Sequence, residues 1–182
     1  GKAFCAGQDL VEATDPNGPE LSQIVQEHYN PIIRKIRNIE KPIVAAVNGV
    51  AAGAGASIAL CCDIVVACES ASFIQAFSKI GLIPDSGGTF FLPRLVGIQK
   101  ATALMMTAEP VTATDAVDMG MIYKVFSDDS FEEESWKLVS KLAEMPTKGL
   151  GLTKRLLNAS YSNNLEEQLD MEDKYQTIAG NT

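Results

Sequence analysis

Two short turns built from small residues are the first candidates for chemistry in this sequence. One runs through residues 5–10 (CAGQDL), and the other through residues 52–55 (AGAG), where a helix is predicted to begin. The first amides of a helix lack carbonyl partners and lie at the positive end of its dipole, so they can stabilise a developing oxyanion. Small residues also allow tight helix packing, and either role explains each segment taken alone.

Asp85 is the third candidate, in the loop GLIPDSGGT at residues 81–89. A carboxylate beside the chemistry accepts and returns protons, and apolar surroundings that raise its pKa make it a better base. The ordinary alternative is an Asp that caps the helix predicted to begin near Gly87. The apolar neighbours that we predict are Phe73, Ala76, Phe77, Ile80 and Leu82.

The sequence context of the histidine and the cysteines favours structural roles for them. His28, the single histidine, lies in a predicted helix without a Ser or Cys partner at a suggestive spacing. The four cysteines form no CxxC pair, and we interpret them as reduced core thiols of a cytoplasmic protein. We therefore expect neither a metal site nor a cofactor.

The hydrophobic pattern predicts the elements that position these residues. Residues 21–39 have helical spacing, residues 43–47 form a wholly apolar run typical of a buried strand, and residues 64–68 and 71–74 predict two more strands. After residue 97 the pattern becomes mostly helical. We expect an α/β core in residues 1–97 and a helical region in residues 98–182.

Composition excludes several classes of function. A formal net charge of -8 argues against binding to nucleic acid or to an anionic membrane, because the acidic residues would repel either polyanion. The apolar runs are far shorter than the roughly 20 residues that a membrane helix needs. The opening residues do not resemble a signal peptide.

The order and spacing of the two turns resemble those of the crotonase (enoyl-CoA hydratase/isomerase) superfamily. The string AFCAGQDL at residues 3–10 is followed by AVNGVAAGAGAS at residues 46–57. The resemblance covers nearly the whole chain and implies a crotonase-like superhelix of ββα units with a C-terminal helical extension. Other similar strings are residues 62–67 (CDIVVA), 81–84 (GLIP), 87–89 (GGT), 92–94 (LPR) and 116–122 (AVDMGMI).

The resemblance also implies roles for residues. By position, the backbone N–H groups of Gln8 and Ala54 would form the oxyanion hole for an acyl-CoA thioester. The two glutamates that hydratases of the superfamily use to activate water correspond to Ser57 and Phe77, which cannot act as bases. Asp85 stands where isomerase branches carry a single catalytic acid. Substrate contacts are expected at Lys2, Ala6, Gly7, Asp9, Gly53, Phe77 and Leu82.

Particular strings are closest to the family of ring 1,2-epoxyphenylacetyl-CoA isomerases, which also shift Δ3 double bonds of enoyl-CoA to Δ2. Those strings are residues 4–10 (FCAGQDL), 29–31 (YNP), 48–56 (NGVAAGAGA), 76–79 (AFSK), 81–85 (GLIPD) and 149–152 (GLGL). The resemblance favours an isomerase of phenylacetate breakdown or fatty acid metabolism. The alternatives are a hydratase-like enzyme and a non-catalytic binding or assembly protein.

The resemblance also implies the partners of the protein and the elements that flank this sequence. Coenzyme A enters as part of the substrate, and the C-terminal helices would pack against neighbours in a homotrimer or hexamer. By element count, we expect an opening β-rich segment and a last helix of the family to lie outside these 182 residues.

Overall fold

The chain folds into two small sheets wrapped by eight helices in the part that the structure describes, which is residues 1–9, 11, 15 and 17–182 of a computed structural model. Leu10, the last residue of the first turn, lies outside this part. The strands are β1 (Ala3–Cys5), β2 (Val44–Val47), β3 (Val50–Ala52), β4 (Ile64–Cys68), β5 (Ser72–Ile74), β6 (Val111–Thr112) and β7 (Lys124–Phe126).

The helices carry the chain between and around the sheets. Helix α1, residues 21–38, has three segments, Leu21–Gln23, Ile24–Tyr29 and Asn30–Asn38, and a single 3-10 helix follows β5 at Ala76–Ile80. The others are α2 (Ala54–Leu60), α3 (Gly88–Val96), α4 (Ile98–Thr107), α5 (Ala113–Asp118), α6 (Phe131–Ala143), α7 (Thr147–Ala159) and α8 (Leu165–Gly180).

The sheet topology explains why the chain winds as a superhelix. One sheet has the strand order β1-β3-β5-β6, and the other has the order β2-β4-β7. Consecutive strands β2 and β3 lie in different sheets, as do β4 and β5, and α2 connects the two pairs. The parallel pairings of β3 with β5 and of β2 with β4 stack one turn on the next. The predicted α/β class is therefore confirmed.

Small and branched apolar residues fill the space between the two sheets and helix α2. Val47, Ala51, Ala56 and Ala59 are fully excluded from solvent, which lets strands and helix approach closely. The predicted strand at residues 43–47 is confirmed as β2, whose buried residues alternate with half-buried ones. Strand β3 was missed, because the sequence Val50–Ala52 reads equally well as part of a turn.

Helix α1 departs from the regular helix that its sequence predicts. Its middle segment, Ile24–Tyr29, is a π-helix, and the N–H of Asn30 donates to the carbonyl of Val25, five residues earlier. Pro31 follows directly. Because proline lacks an N–H and its ring crowds the carbonyl four residues earlier, a widened turn at this point accommodates it.

The helices of the second half are capped in different ways. Thr112 is the N-cap of α5, since its side chain accepts a hydrogen bond from the N–H of Asp115. Ser130, at the N-cap of α6, makes no capping bond, because its hydroxyl pairs with that of Ser127. None of the helices in the described part of the chain has the length and apolar character needed to span a membrane.

Candidate active site

The two small-residue turns lie against each other. Gly7 has a φ of 88°, a conformation that glycine adopts at little cost. A Cβ placed on Gly7 would lie 3.2 Å from the carbonyl oxygen of Ala52 and 3.4 Å from the backbone nitrogen of Ala54. The turn after β1 thus packs on the start of α2, and a side chain at Gly7 would crowd this contact and strain the backbone.

A second glycine allows this approach from the other side. A Cβ on Gly55 would overlap the carbonyl oxygen of Cys5 and lie 2.7 Å from its Cβ. Strand β1 therefore crosses the first turn of α2 in backbone contact. The glycine-rich run has the close-packing role that the sequence offered as an alternative, and the same packing positions the amides of α2 beside the first turn.

The amide of Ala54 is the first of helix α2. Gly53 is the N-cap residue, with a φ of 54°, and its own N–H donates to the carbonyl of Ile74 at 2.8 Å. The N–H of Ala54 has no helical carbonyl four residues earlier, and it lies at the positive end of the helix dipole. It is therefore suited to bind an anionic oxygen.

Both turns open into one cavity of about 280 Å³. The walls are mostly apolar, and among the described residues the charged side chains in them are those of Asp85 and Lys79. A cavity of this kind, with few polar groups, is typical of a small-molecule site. Its lining residues are Ala6, Gly7, Gln8, Leu21, Ile24, Tyr29, Gly53, Ala54, Ala76, Phe77, Lys79, Ile80, Leu82 and Asp85.

Most of the residues predicted for the site line this cavity, but two do not. Lys2 is exposed at the start of β1 and is not part of the lining. Asp9 is also exposed, and its carboxylate accepts a hydrogen bond from the N–H of Val11 at 2.9 Å. Asp9 therefore braces its own turn, and it is not among the residues that line the cavity.

Asp85 lies at the cavity wall and is half-buried. The hydroxyl of Ser86 donates to its carboxylate at 3.0 Å, and the N–H of Gly88 donates to its backbone carbonyl at 2.8 Å. Burial raises the pKa of Asp85 above its ordinary value, while the hydrogen bond from Ser86 acts in the opposite direction. The carboxyl is thereby made more basic than a surface aspartate.

The capping role considered for Asp85 is wrong. Helix α3 begins at Gly88, and its N-cap is Gly87, which has a φ of 77° and no side-chain capping bond. The carboxylate is consequently available to the cavity. Among its predicted apolar neighbours, Ala76, Phe77, Ile80 and Leu82 line the cavity, whereas Phe73 is in the core beneath it.

The two positions that correspond to hydratase glutamates provide no base. Phe77 is 6% exposed, and its ring reaches 3.9 Å from a Cβ placed on Gly53, so it forms part of the apolar wall. Ser57 is completely buried and lies outside the lining. Its hydroxyl has no hydrogen-bond partner within the described residues.

The structure adds lining residues that the sequence did not indicate. Tyr29 donates its hydroxyl to Oε1 of Gln8 at 2.9 Å, and Ile24 is 1% exposed at the cavity floor. The π-helix places both on one face of α1, which no regular helical period predicts. Lys79 also reaches the cavity. His28, in contrast, is exposed and outside the lining, consistent with a structural role.

Metal ligands do not cluster in the described part of the chain. There, no group of three or more His, Cys, Asp or Glu side chains is arranged to hold a metal ion. The four cysteines are present as free thiols.

Sequence comparisons identify the family of this chain. A family model described as enoyl-CoA hydratase/isomerase matches residues 1–182. The chain is 47% identical over 183 residues to 1,2-epoxyphenylacetyl-CoA isomerase of Escherichia coli (strain K12), covering 99% of the chain and 70% of the relative. It is 41% identical over 180 residues to a probable enoyl-CoA hydratase of Rhodobacter capsulatus, with the same coverage of each.

Solved structures show the same architecture. A putative enoyl-CoA hydratase/isomerase from Mycobacterium abscessus matches with a TM-score of 0.93 and 35% identity, over 100% of this chain and 71% of that one. The chain belongs to the enoyl-CoA hydratase/isomerase family, and it has the crotonase fold that the sequence predicts.

Proposed function

We propose that this protein is an acyl-CoA isomerase that stabilises an enolate and moves a proton with a single carboxylate. The observation that carries the proposal is the convergence of Gln8, Ala54 and Asp85 on one cavity. The N–H groups of Gln8 and Ala54 bind the thioester oxygen, and Asp85 is the acid–base group. Coenzyme A is part of the substrate, and the mechanism needs no cofactor.

The chemistry follows from the charge that develops during the reaction. Removal of a proton alpha to the thioester places negative charge on the thioester oxygen, where fixed N–H donors are most effective. Asp85 takes this proton and returns it at another carbon. Its raised pKa brings its basicity closer to what proton abstraction demands, and the apolar wall around it limits competing water.

Isomerisation is favoured over hydration because Asp85 is the one carboxylate among the described residues that line the cavity. Addition of water by the two-glutamate route needs carboxylates that hold and activate a water molecule. The corresponding residues here are a fully buried serine and an apolar phenylalanine, Ser57 and Phe77. A single acid that both removes and returns a proton is sufficient for an isomerase.

The substrate we propose is ring 1,2-epoxyphenylacetyl-CoA, converted to oxepin-CoA, with Δ3-to-Δ2 isomerisation of enoyl-CoA as a second reaction of the same site. Support for the epoxide comes from the relative of that name in Escherichia coli and from the strings shared with that family. A mostly apolar cavity of about 280 Å³ suits an acyl group of modest size. This assignment places the protein in phenylacetate catabolism.

The oligomeric state of the protein is a separate proposal. We propose that residues 98–182 take part in a homotrimer or hexamer, as the family resemblance implies. Light scattering coupled to size exclusion on the full-length protein measures this directly. A monomeric protein with full activity would contradict it.

The test of the function is an assay of the full-length protein with three substrates: the ring epoxide, a 3-enoyl-CoA and a 2-enoyl-CoA. We expect isomerised products from the first two and no hydration of the third. Asp85→Asn, which keeps the shape of the side chain but removes the base, should abolish both isomerisations. Asp170→Asn, at an exposed position of α8, is the matched control and should remain fully active.

The three-substrate assay also separates the competing functions. Hydration of the 2-enoyl-CoA without isomerisation would identify a hydratase, and no turnover with measurable acyl-CoA binding would identify a non-catalytic binding protein. Isomerisation that survives Asp85→Asn would overturn the role of Asp85.

A further inference from the structure

The π-helical segment of α1 changes which side chains face the active site. In a regular α-helix, residues five apart point about 140° away from each other. In a π-helix the hydrogen bonds join residues five apart, so such residues stack on the same face. Ile24 and Tyr29 are five apart and begin and end this segment, and both line the cavity.

The hydroxyl of Tyr29 is thereby brought to the first turn of the site. It donates to Oε1 of Gln8 at 2.9 Å, across 21 residues of sequence. Ile24, at the other end of the segment, is almost completely buried and anchors it in the core. The tyrosine is thus held in place by a buried neighbour on its own face of the helix.

The turn that carries Gln8 makes contacts with two other segments of the chain. On one side, Gly7 lies in contact with the backbone of Ala52 and Ala54. On the other, the side chain of Gln8 is tied to Tyr29. A backbone amide can stabilise an oxyanion only when its direction is fixed, because reorientation during the reaction would cost part of the stabilisation.

We propose that Tyr29 is a positioning residue for the oxyanion hole: through its hydrogen bond to the Gln8 side chain, it fixes the direction of the Gln8 backbone N–H. The π-helical turn is the structural device that makes this contact. The inference rests on the proposed function, in which the Gln8 amide is one of two donors to the thioester oxygen.

The expected effect is a loss of turnover without an equal loss of binding. Removing one oxyanion-hole donor entirely costs on the order of 100-fold to 1,000-fold in kcat. Tyr29→Phe leaves the donor present but less well directed, so we expect kcat to fall about tenfold. KM should change little, because the thioester carries its negative charge only on the way to the enolate.

The test uses Tyr29→Phe together with a spectroscopic readout that does not depend on turnover. Acetoacetyl-CoA ionises at its α-carbon to an enolate with its own ultraviolet absorption. The hole should lower the apparent pKa of this bound ligand, and Tyr29→Phe should raise it towards the value in free solution. Tyr123→Phe, at an exposed tyrosine outside the cavity, is the matched control and should behave as the unchanged protein does.

A double-mutant cycle shows whether the effect passes through Gln8. Gln8→Met removes the acceptor of the hydrogen bond but keeps the backbone amide. If Tyr29 acts only through this bond, the double variant should be no worse than either single variant, because coupled residues are not additive. Additive losses would overturn the inference.

The outcomes distinguish this inference from the proposed function. If the unchanged protein fails to ionise bound acetoacetyl-CoA, the oxyanion hole itself is wrong. If it ionises the ligand and Tyr29→Phe does so equally well, the hole stands and the positioning role of Tyr29 is overturned. A thermal melt of Tyr29→Phe that matches the unchanged protein, together with a raised ligand pKa, supports positioning.

Discussion

Two half-buried aspartates in this molecule have opposite surroundings. Asp63, between α2 and β4, accepts hydrogen bonds from Arg37 at 3.0 Å and from the N–H of Ile43 at 2.8 Å, and it forms an ion pair with Lys154 at 2.7 Å. Asp85 has one side-chain partner among the described residues, the hydroxyl of Ser86. The negative charge of Asp63 is thus balanced by two cations, whereas the partner of Asp85 is an uncharged hydroxyl.

The difference separates a structural carboxylate from a chemical one. Lys154 is 5% exposed and also donates to the carbonyls of Ile36 and Lys41, so its charge joins α7 to α1 and the loop before β2. This cluster holds the helical region on the core. Asp85, whose pKa is raised by burial, lines the cavity. Breaking the ion pairs of Asp63 is therefore expected to be costly, whereas burial raises the pKa of Asp85.

The largest predicted effect is on Asp63. Asp63→Asn leaves the buried Lys154 and the half-buried Arg37 without their counter-charge, and breaking a buried ion pair in this way costs about 3–5 kcal/mol of unfolding free energy. Urea titration followed by circular dichroism measures it. Asp85→Asn, studied in parallel, should lose none of that stability. Equal losses at both positions would erase the distinction between the two carboxylates.

Two glycines, one in the core and one in the helical region, test how closely the backbone is packed at each place. Gly55→Ala pushes a methyl group into Cys5, so we expect about 3 kcal/mol of destabilisation and loss of the cavity geometry. Gly149→Ala, in α7, meets nothing within 4 Å and should stabilise the helix by about 1 kcal/mol. Thermal melts of both variants provide the comparison. A neutral Gly55→Ala would mean that β1 does not cross α2 in backbone contact.

The hydrogen bond from Ser86 should be visible in the pH profile. It stabilises the charged form of Asp85 and opposes the effect of burial. Ser86→Ala removes it, so the pKa of Asp85 should rise further and the acidic limb of kcat/KM should move to higher pH. Rates measured across the acidic and neutral pH range give the profile. A shift to lower pH would contradict this arrangement.

The smallest effect concerns stability and pH at Asp85. Its pKa is higher in the folded chain than the ordinary value of 3.8, so the folded chain binds this proton more tightly. The cost of burying the carboxylate is absent at pH below 3.8, grows as pH rises through the folded pKa, and is then constant. Asp85→Asn lacks this cost. Its melting temperature should therefore exceed that of the unchanged protein by a small amount at neutral pH, and by less in acid. The reverse dependence would show that burial does not raise the pKa.

Much of the site could be predicted from the sequence, because its parts are backbone features with strong local signals. Glycine and alanine at residues 52–55 indicate a helix start, and the resemblance assigns Gln8, Ala54 and Asp85 to one site. The alternation of short apolar runs indicates the α/β core. These signals depend on neighbours in the sequence or on a matching pattern.

Features that depend on contacts between distant segments were not predicted. The π-turn that brings Tyr29 to Gln8 interrupts an ordinary helical pattern without changing its composition. Lys2 and Asp9, where the resemblance implies substrate contacts, are not among the residues that line the cavity. The ion cluster around Asp63 joins residues more than 90 positions apart, which no local period reveals.

The most direct test of the central claim is exchange of the α-protons of a bound acyl-CoA with solvent deuterium. Phenylacetyl-CoA, which has α-protons but no epoxide to open, is incubated with the full-length protein in D₂O and followed by NMR. We predict that deuterium enters the α-carbon with the unchanged protein and with Asp63→Asn under conditions where that variant is folded, but not with Asp85→Asn. Exchange that is unaffected by Asp85→Asn would contradict the account.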